Sequence, residues 1–263
     1  MKKFFSPKPV IITTGGGGPG LFHDTIRNMK NALSLGSDAI RTNVSITKDN
    51  KIVLFSNAVF QNRDLAARGI GSYTRDGLRE LFRTEAGSDA LDDIKGLFPE
   101  MEETLSALNN CRFNLNLSEK DPKLIQQYCD IIRNLDAGDR ILTSSLNAYN
   151  LKKVRNNFDG TATAFSFGGV VAFYALYRSG ILHFKKKFSD DALIIHEMIG
   201  ASFLANAGLI GEARARGIHV YVLNIMTEDQ VKRLFEAGAD GFVTNYASMV
   251  KRSLPASGEK NDS

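Results

Sequence analysis

Short runs of β-branched and aliphatic residues alternate along the chain with longer stretches in which apolar residues recur at helical spacing. The β-like runs cover residues 10–14, 39–44, 112–118, 140–144, 161–165, 192–196, 219–223 and 241–244. Helical patterns fill residues 24–35, 122–135, 148–156, 207–216 and 227–237. Strand–helix alternation predicts a parallel sheet, and eight such strands is the count at which the sheet closes into a barrel. The punctuation agrees. Thr227 and Gln230 have the types and spacing of a capping box. Gly36, Gly217 and Gly238 each follow a helical run where a left-handed residue is wanted. Asp24 is read as the N-cap of the first helix, with His23 just before it.

One segment breaks the alternation. About fifty residues separate the second strand from the helix that begins near Pro99, a length that calls for function or structure of its own. It opens with a turn at Lys48-Asp49-Asn50. The expected organisation is one barrel domain over 1–254, an insertion at about 45–99, and a small, polar, flexible tail at 255–263. A length of 263 residues and 43% hydrophobic content suit a single barrel.

Charge and cysteines narrow the partners. The net charge of +4 is compatible with an anionic ligand or a membrane surface, and equally with ordinary solubility. No basic run is interleaved with aromatics, so nucleic acid is not expected. Cys111 and Cys129 read as two buried thiols rather than a disulfide or metal pair. The start of the chain lacks an apolar stretch of signal-peptide length, which points to a cytoplasmic protein. Residues 161–177 carry no charge and are followed by Arg178 and Lys185-Lys186-Lys187. That run is too short and too glycine-broken to span a bilayer. It predicts a strand plus a helix, packed on the barrel or forming a peripheral membrane contact near 161–187.

Several motifs in order resemble one family. Residues 36–57 read GSDAIRTNVSITKDNKIVLFSN. They are similar to the Gly-x-Asp-x-Ile-Glu-x-Asp-Val-x-x-Thr-Lys-Asp-Gly stretch of glycerophosphodiester phosphodiesterases, which ends in His-Asp. Residues 98–105, 114–118 and 142–146 resemble that family's Ile-Pro-Thr-Leu-Glu-Glu-Val-Leu, Asn-Ile-Glu-Ile-Lys and Leu-Val-Ser-Ser-Phe. Residues 238–245 resemble its Gly-Val-Asp-Gly-Ile-Ile-Thr-Asp. The resemblance implies an α/β (β/α)8 TIM barrel of the PLC-like phosphodiesterase type, with its insertion after the second strand lying over the mouth.

The same resemblance implies a site whose chemistry has been replaced. Two family histidines act as general acid and base, and a Glu, an Asp and another Glu hold one divalent metal. Carried over position by position, the first His is Thr13 and the neighbouring Arg is Thr14. The metal positions are Arg41, Asn43 and Asn116, the second His is Phe55, and a Lys is Ser118. Thr and Phe cannot shuttle a proton near neutral pH, and the metal positions offer no carboxylate, so no metal cofactor is expected. An active hydrolase would instead need Mg²⁺ or Ca²⁺.

Period-two alternation puts Arg41 with Asn43, and Asn116 with Ser118, on one face of their strands. Two readings stay open. These residues form a hydrogen-bonded polar plug, or a metal-free anion site of Thr13, Thr14, Gly15, Arg41, Asn43, Asn116 and Ser118, aided by the glycine run at 15–20. Relocated catalysis has weak candidates in His196 and Glu197, at the end of the sixth strand. Glu119-Lys120 is a shifted Glu-x-Lys with one residue misdirected. The expected function is a non-catalytic, phosphodiesterase-like protein of lipid or glycerophosphodiester metabolism. It binds a small phosphate-bearing or polyol ligand, or a protein partner such as an active relative. The alternative is an active hydrolase releasing glycerol 3-phosphate and an alcohol.

Overall fold

A computed structural model describes residues 2–17, 24–83, 91–199 and 202–255. The chain begins with β1 (Val10–Thr14), α1 (Ile26–Ser34), β2 (Ala39–Ile46) and β3 (Ile52–Phe55). The insertion continues with α2 (Arg63–Arg68), α3 (Arg75–Arg83) and α4 (Leu91–Gly96), and α5 (Met101–Ala107) leads back to the barrel. Then come β4 (Arg112–Leu117), α6 (Pro122–Asn134), β5 (Ile141–Ser144), α7 (Ala148–Asn157), β6 (Ala162–Thr163) and α8 (Phe167–Arg178). After β7 (Ala192–His196), a small hairpin of β8 (Met198–Ile199) and β9 (Ser202–Phe203) precedes α9 (Ala207–Arg214). The chain closes with β10 (His219–Leu223), α10 (Glu228–Glu236), β11 (Gly241–Thr244) and α11 (Ala247–Ser253).

The parallel strands run β6-β5-β4-β2-β1-β11-β10-β7, an eight-stave sheet. Its edges meet at a single parallel bridge between Ala164 and Ala192, which leaves the barrel nearly closed. The strand expected over 161–165 is therefore shorter than read, because only its middle pairs regularly with β5. β3 runs antiparallel to β2, with Asn43 opposite Phe55.

Alternation along the staves sorts side chains into two layers. Val10, Ile12, Ala39, Leu142, Ala162, Ala192, Tyr221 and Val243 fill the barrel, closed below by Phe4 and Phe5. Their neighbours point outward and pack under the helices in two belts. The insertion builds its own small core from Val53, Phe55, Val59, Leu65, Leu78, Phe82 and Phe98.

The capping box of α10 forms as read, with Thr227 and Gln230 bonded reciprocally. Gly36, Gly217 and Gly238 have positive φ at the helix ends. The cap of α1 differs by one residue. Thr25 accepts from the Asn28 amide at 3.1 Å, whereas Asp24 lies before it at φ 64°. Cys111 and Cys129 are buried, free thiols. Among the described residues no helix is long and apolar enough to cross a membrane. His23, Gly18, Gly20 and all of the tail beyond Pro255 lie outside the described residues.

Candidate functional site at the barrel mouth

Parallel strands deliver their C-terminal ends to one face, where barrel sites are built. Register places Thr14 beside Arg41 and Arg41 beside Asn114. One step nearer the mouth, Asn43 lies beside Asn116, and Asn116 beside Ser144. These inward residues bond to one another. Asn116 Nδ2 donates to Asn43 Oδ1 at 2.8 Å, and Asn43 Nδ2 donates to Asn57 Oδ1 at 3.0 Å. Ser144 Oγ donates to Asn116 Oδ1 at 3.4 Å, and Asn114 Nδ2 donates to Ser144 Oγ at 3.2 Å and to the Leu142 carbonyl at 2.9 Å. The result is a chain of amides and hydroxyls across β2, β4 and β5.

Arg41 ends that chain. Its Nη1 donates to Asn114 Oδ1 at 2.5 Å, and among the described residues no carboxylate pairs with it. The side chain is half-buried, and desolvation lowers its pKa to about 10. Next to it, exposed Thr14 edges a cleft of about 220 Å³ shared with Asn224, Ile225, Met226, Asn245 and Tyr246.

Other predicted site residues fall elsewhere. Thr13 follows Ile12 by one residue and so faces away from the barrel axis, its buried hydroxyl lacking a hydrogen bond among the described residues. The Gly15 amide is already donated to the Arg41 carbonyl at 2.9 Å, and the Gly17 amide to the Thr14 carbonyl at 3.0 Å. Neither is free for an anion, which corrects the expected role of Gly15 and of this part of the glycine run. Phe55 is buried, edge-on to Phe60, in the insertion core. Ser118 is exposed and accepts from Asn116 Nδ2 at 3.4 Å.

The weak catalytic candidates do not converge. His196 is exposed at the end of β7, while Glu197 is buried, accepts from Gln230 Nε2 at 2.8 Å and pairs with Arg233. Adjacent strand residues face opposite ways, and Glu197 anchors α10. Glu119 turns to accept from Ser45 Oγ at 2.6 Å, while Lys120 lies over the Tyr149 ring. Burial raises the Glu119 pKa, the Ser45 hydrogen bond opposing. Among the described residues no three His, Cys, Asp or Glu side chains gather where a metal could bind. Asn114 and Ser144 join the site without having been singled out, though period two from Asn116 points to Asn114. Asn224, Asn245 and Tyr246 also reach the mouth, from the ends of β10 and β11, where barrel sites arise.

The sequence model of the glycerophosphoryl diester phosphodiesterase family matches residues 16–249. This chain belongs to that family. A glycerophosphodiester phosphodiesterase of Caldanaerobacter subterraneus is 22% identical over 245 residues, spanning 90% of this chain and 94% of the relative. A Homo sapiens lysophospholipase D is 21% identical, spanning 93% of this chain and 85% of its own. Among solved structures, the glycerophosphoryl diester phosphodiesterase domain of a Mycobacterium tuberculosis protein superposes with a TM-score of 0.72 at 15% identity, covering 94% and 99% of the two chains. An Oleispira antarctica phosphodiesterase, solved with the product sn-glycerol-3-phosphate, gives 0.70 at 17% identity, covering 94% and 96%. At these identities the neighbours establish the barrel and its insertion-bearing type.

Proposed function

We propose that this member of the family has exchanged hydrolysis for the binding of a small phosphate-bearing ligand at the barrel mouth. The Arg41 guanidinium carries the reading. It is a half-buried cation whose hydrogen-bond partner among the described residues is one neutral amide oxygen, and its lowered pKa marks surroundings that an anion improves. Arg offers five N–H donors in a fixed fork, so one bond to Asn114 leaves donors for a phosphate. Thr14, the strand neighbour of Arg41, edges a cleft of about 220 Å³ that Arg41 itself does not line, below the roughly 300–1,000 Å³ of drug-sized sites and of a size for a ligand such as glycerol phosphate. The Oleispira neighbour holds a ligand of that class.

The residues present do not fit a divalent metal. Asn43 Oδ1 and Asn116 Oδ1 already accept hydrogen bonds, and neither brings charge. The Arg41 guanidinium, about 4 Å from a dication, would repel it by several kcal/mol even at an effective dielectric near 20. Proton transfer lacks its groups as well, with Thr13 turned outward, Phe55 apolar and Glu197 tied to Arg233.

The bonded chain of Asn43, Asn116, Ser144 and Asn114 favours a second reading, a sealed plug whose frame serves a protein partner. Thermal denaturation with a chelator present separates the two. Phosphate or sn-glycerol 3-phosphate at saturating levels should raise the wild-type Tm by about 5–10 °C, and Arg41→Met should abolish the shift. No shift with either ligand would select the plug. Turnover of glycerophosphocholine stimulated by Mg²⁺, Mn²⁺ or Ca²⁺ would overturn both and restore the active hydrolase.

A further inference from the structure

The wall formed by α8 has a surface at odds with its place on the outside of a barrel. Its inner face packs normally, with Phe173 buried and Val170, Tyr174 and Tyr177 against the outer core. Its outer face is apolar as well. Phe167 and Val171 are 66% and 52% exposed, with Ala172 and Ala175 continuing the same stripe. A surface helix is ordinarily polar on that side. The band extends past both ends of the helix. Toward the mouth stands Leu146, 78% exposed, its carbonyl accepting from the Phe167 amide at 3.3 Å. Toward the far end, Ile181 and Phe184 are 48% and 79% exposed.

Charge around the band is one-sided. From Ala148 to Ser189 the chain has seven Lys and Arg residues and one acid, Asp159. The whole chain is +4, so this segment carries +6 and everything else sums to −2. Arg155 is neutralised by Asp190. Lys152, Lys153, Arg178, Lys185, Lys186 and Lys187 are exposed and have no carboxylate partner among the described residues.

We propose that this face docks on an anionic lipid bilayer, with the apolar band entering the interface and the lysines lying among the headgroups. An apolar surface edged by unpaired cations is the arrangement that interfacial contact requires. No helix among the described residues is long and apolar enough to span, so the contact is peripheral. A second copy of the chain is a poorer occupant. A two-fold contact sets the same patch against itself, and here would oppose lysines to lysines. The proposal does not rest on the ligand at the mouth.

Co-sedimentation of the full chain with vesicles tests it. Binding is expected to phosphatidylcholine mixed with phosphatidylglycerol, not to phosphatidylcholine alone, and should fall in high salt as the charges are screened. Each lysine near such a surface contributes about five-fold in affinity, so the combined Lys185→Gln, Lys186→Gln and Lys187→Gln variant should bind about a hundred-fold more weakly. The paired Phe167→Ser and Phe184→Ser changes should weaken binding at low salt also. All five side chains are exposed, and an unchanged melting curve verifies folding. Arg41→Met should bind vesicles like wild type, which keeps this test separate from that of the mouth. Lack of binding to the anionic vesicles at low salt would overturn the proposal, as would equal binding by the triple lysine variant. A concentration-dependent dimer broken by Val171→Lys, with no vesicle binding, would assign the face to a second copy.

Discussion

Both carboxylate oxygens of Asp24 are buried one residue before the cap of α1, with no hydrogen bond of normal geometry among the described residues. Burial raises its pKa to about 7, only partly offset by the nearby Thr42 hydroxyl. The sign of the linkage follows from a folded pKa above the unfolded one. The native state keeps a proton that the unfolded chain releases above about pH 4, so Asp24 costs nothing in acid and its penalty grows toward pH 7. Asp24→Asn should therefore stabilise the protein at pH 8 by roughly 1–4 kcal/mol and be neutral near pH 4, as urea melts at both values would show. Sequence alone placed the cap one residue early because Asp and Thr are both good caps. What decides is backbone conformation, extended at Thr25 and left-handed at Asp24.

Among the elements, the staves were legible where β-branched runs are long and buried. β1, β7, β10 and β11 begin and end as read. β6 was not, because its final residues leave the regular ladder with β5 for a lone bridge to β7. The inward direction of Arg41, Asn43 and Asn116 followed from period two. Their bonding partners did not, since which residues meet across β2, β4 and β5 depends on register, which a single sequence does not carry. Thr13 shows the same rule broken in the reading, because two adjacent residues of β1 cannot both face the axis. Local signals did better: the capping box of α10 closes as its spacing implied. Thr227→Ala should lower stability by about 1 kcal/mol in chemical denaturation. Vesicle binding should be untouched, since α10 lies away from the basic wall.

At the scale of the whole molecule, the chain keeps the parallel-stave barrel of its family. Apolar stave cores serve closure and packing, whereas Arg41, Asn43 and Asn116, which the resemblance sets at family site positions, point into the mouth. The geometry should then accept the family residues back. A variant combining Arg41→Glu, Asn43→Asp and Asn116→Glu should gain Ca²⁺-dependent thermal stabilisation that the wild type lacks. Failure to respond to Ca²⁺, in a variant that still melts cooperatively, would mean that the three strands no longer hold the spacing an ion needs.

Six residue pairs join β2 to β4, whereas β6 and β7 are stitched by the Ala164–Ala192 bridge, with the Phe165 amide bonded to the Ala192 carbonyl and the Asp191 amide to that of Thr163. So thin a seam is where the cylinder should breathe first. The Phe165 and Asp191 amides should therefore take up deuterium well before those of β2. Because α8 begins directly after that seam, a bilayer resting on the helix would splint it, and lipid-bound protein should exchange there more slowly than protein in free solution.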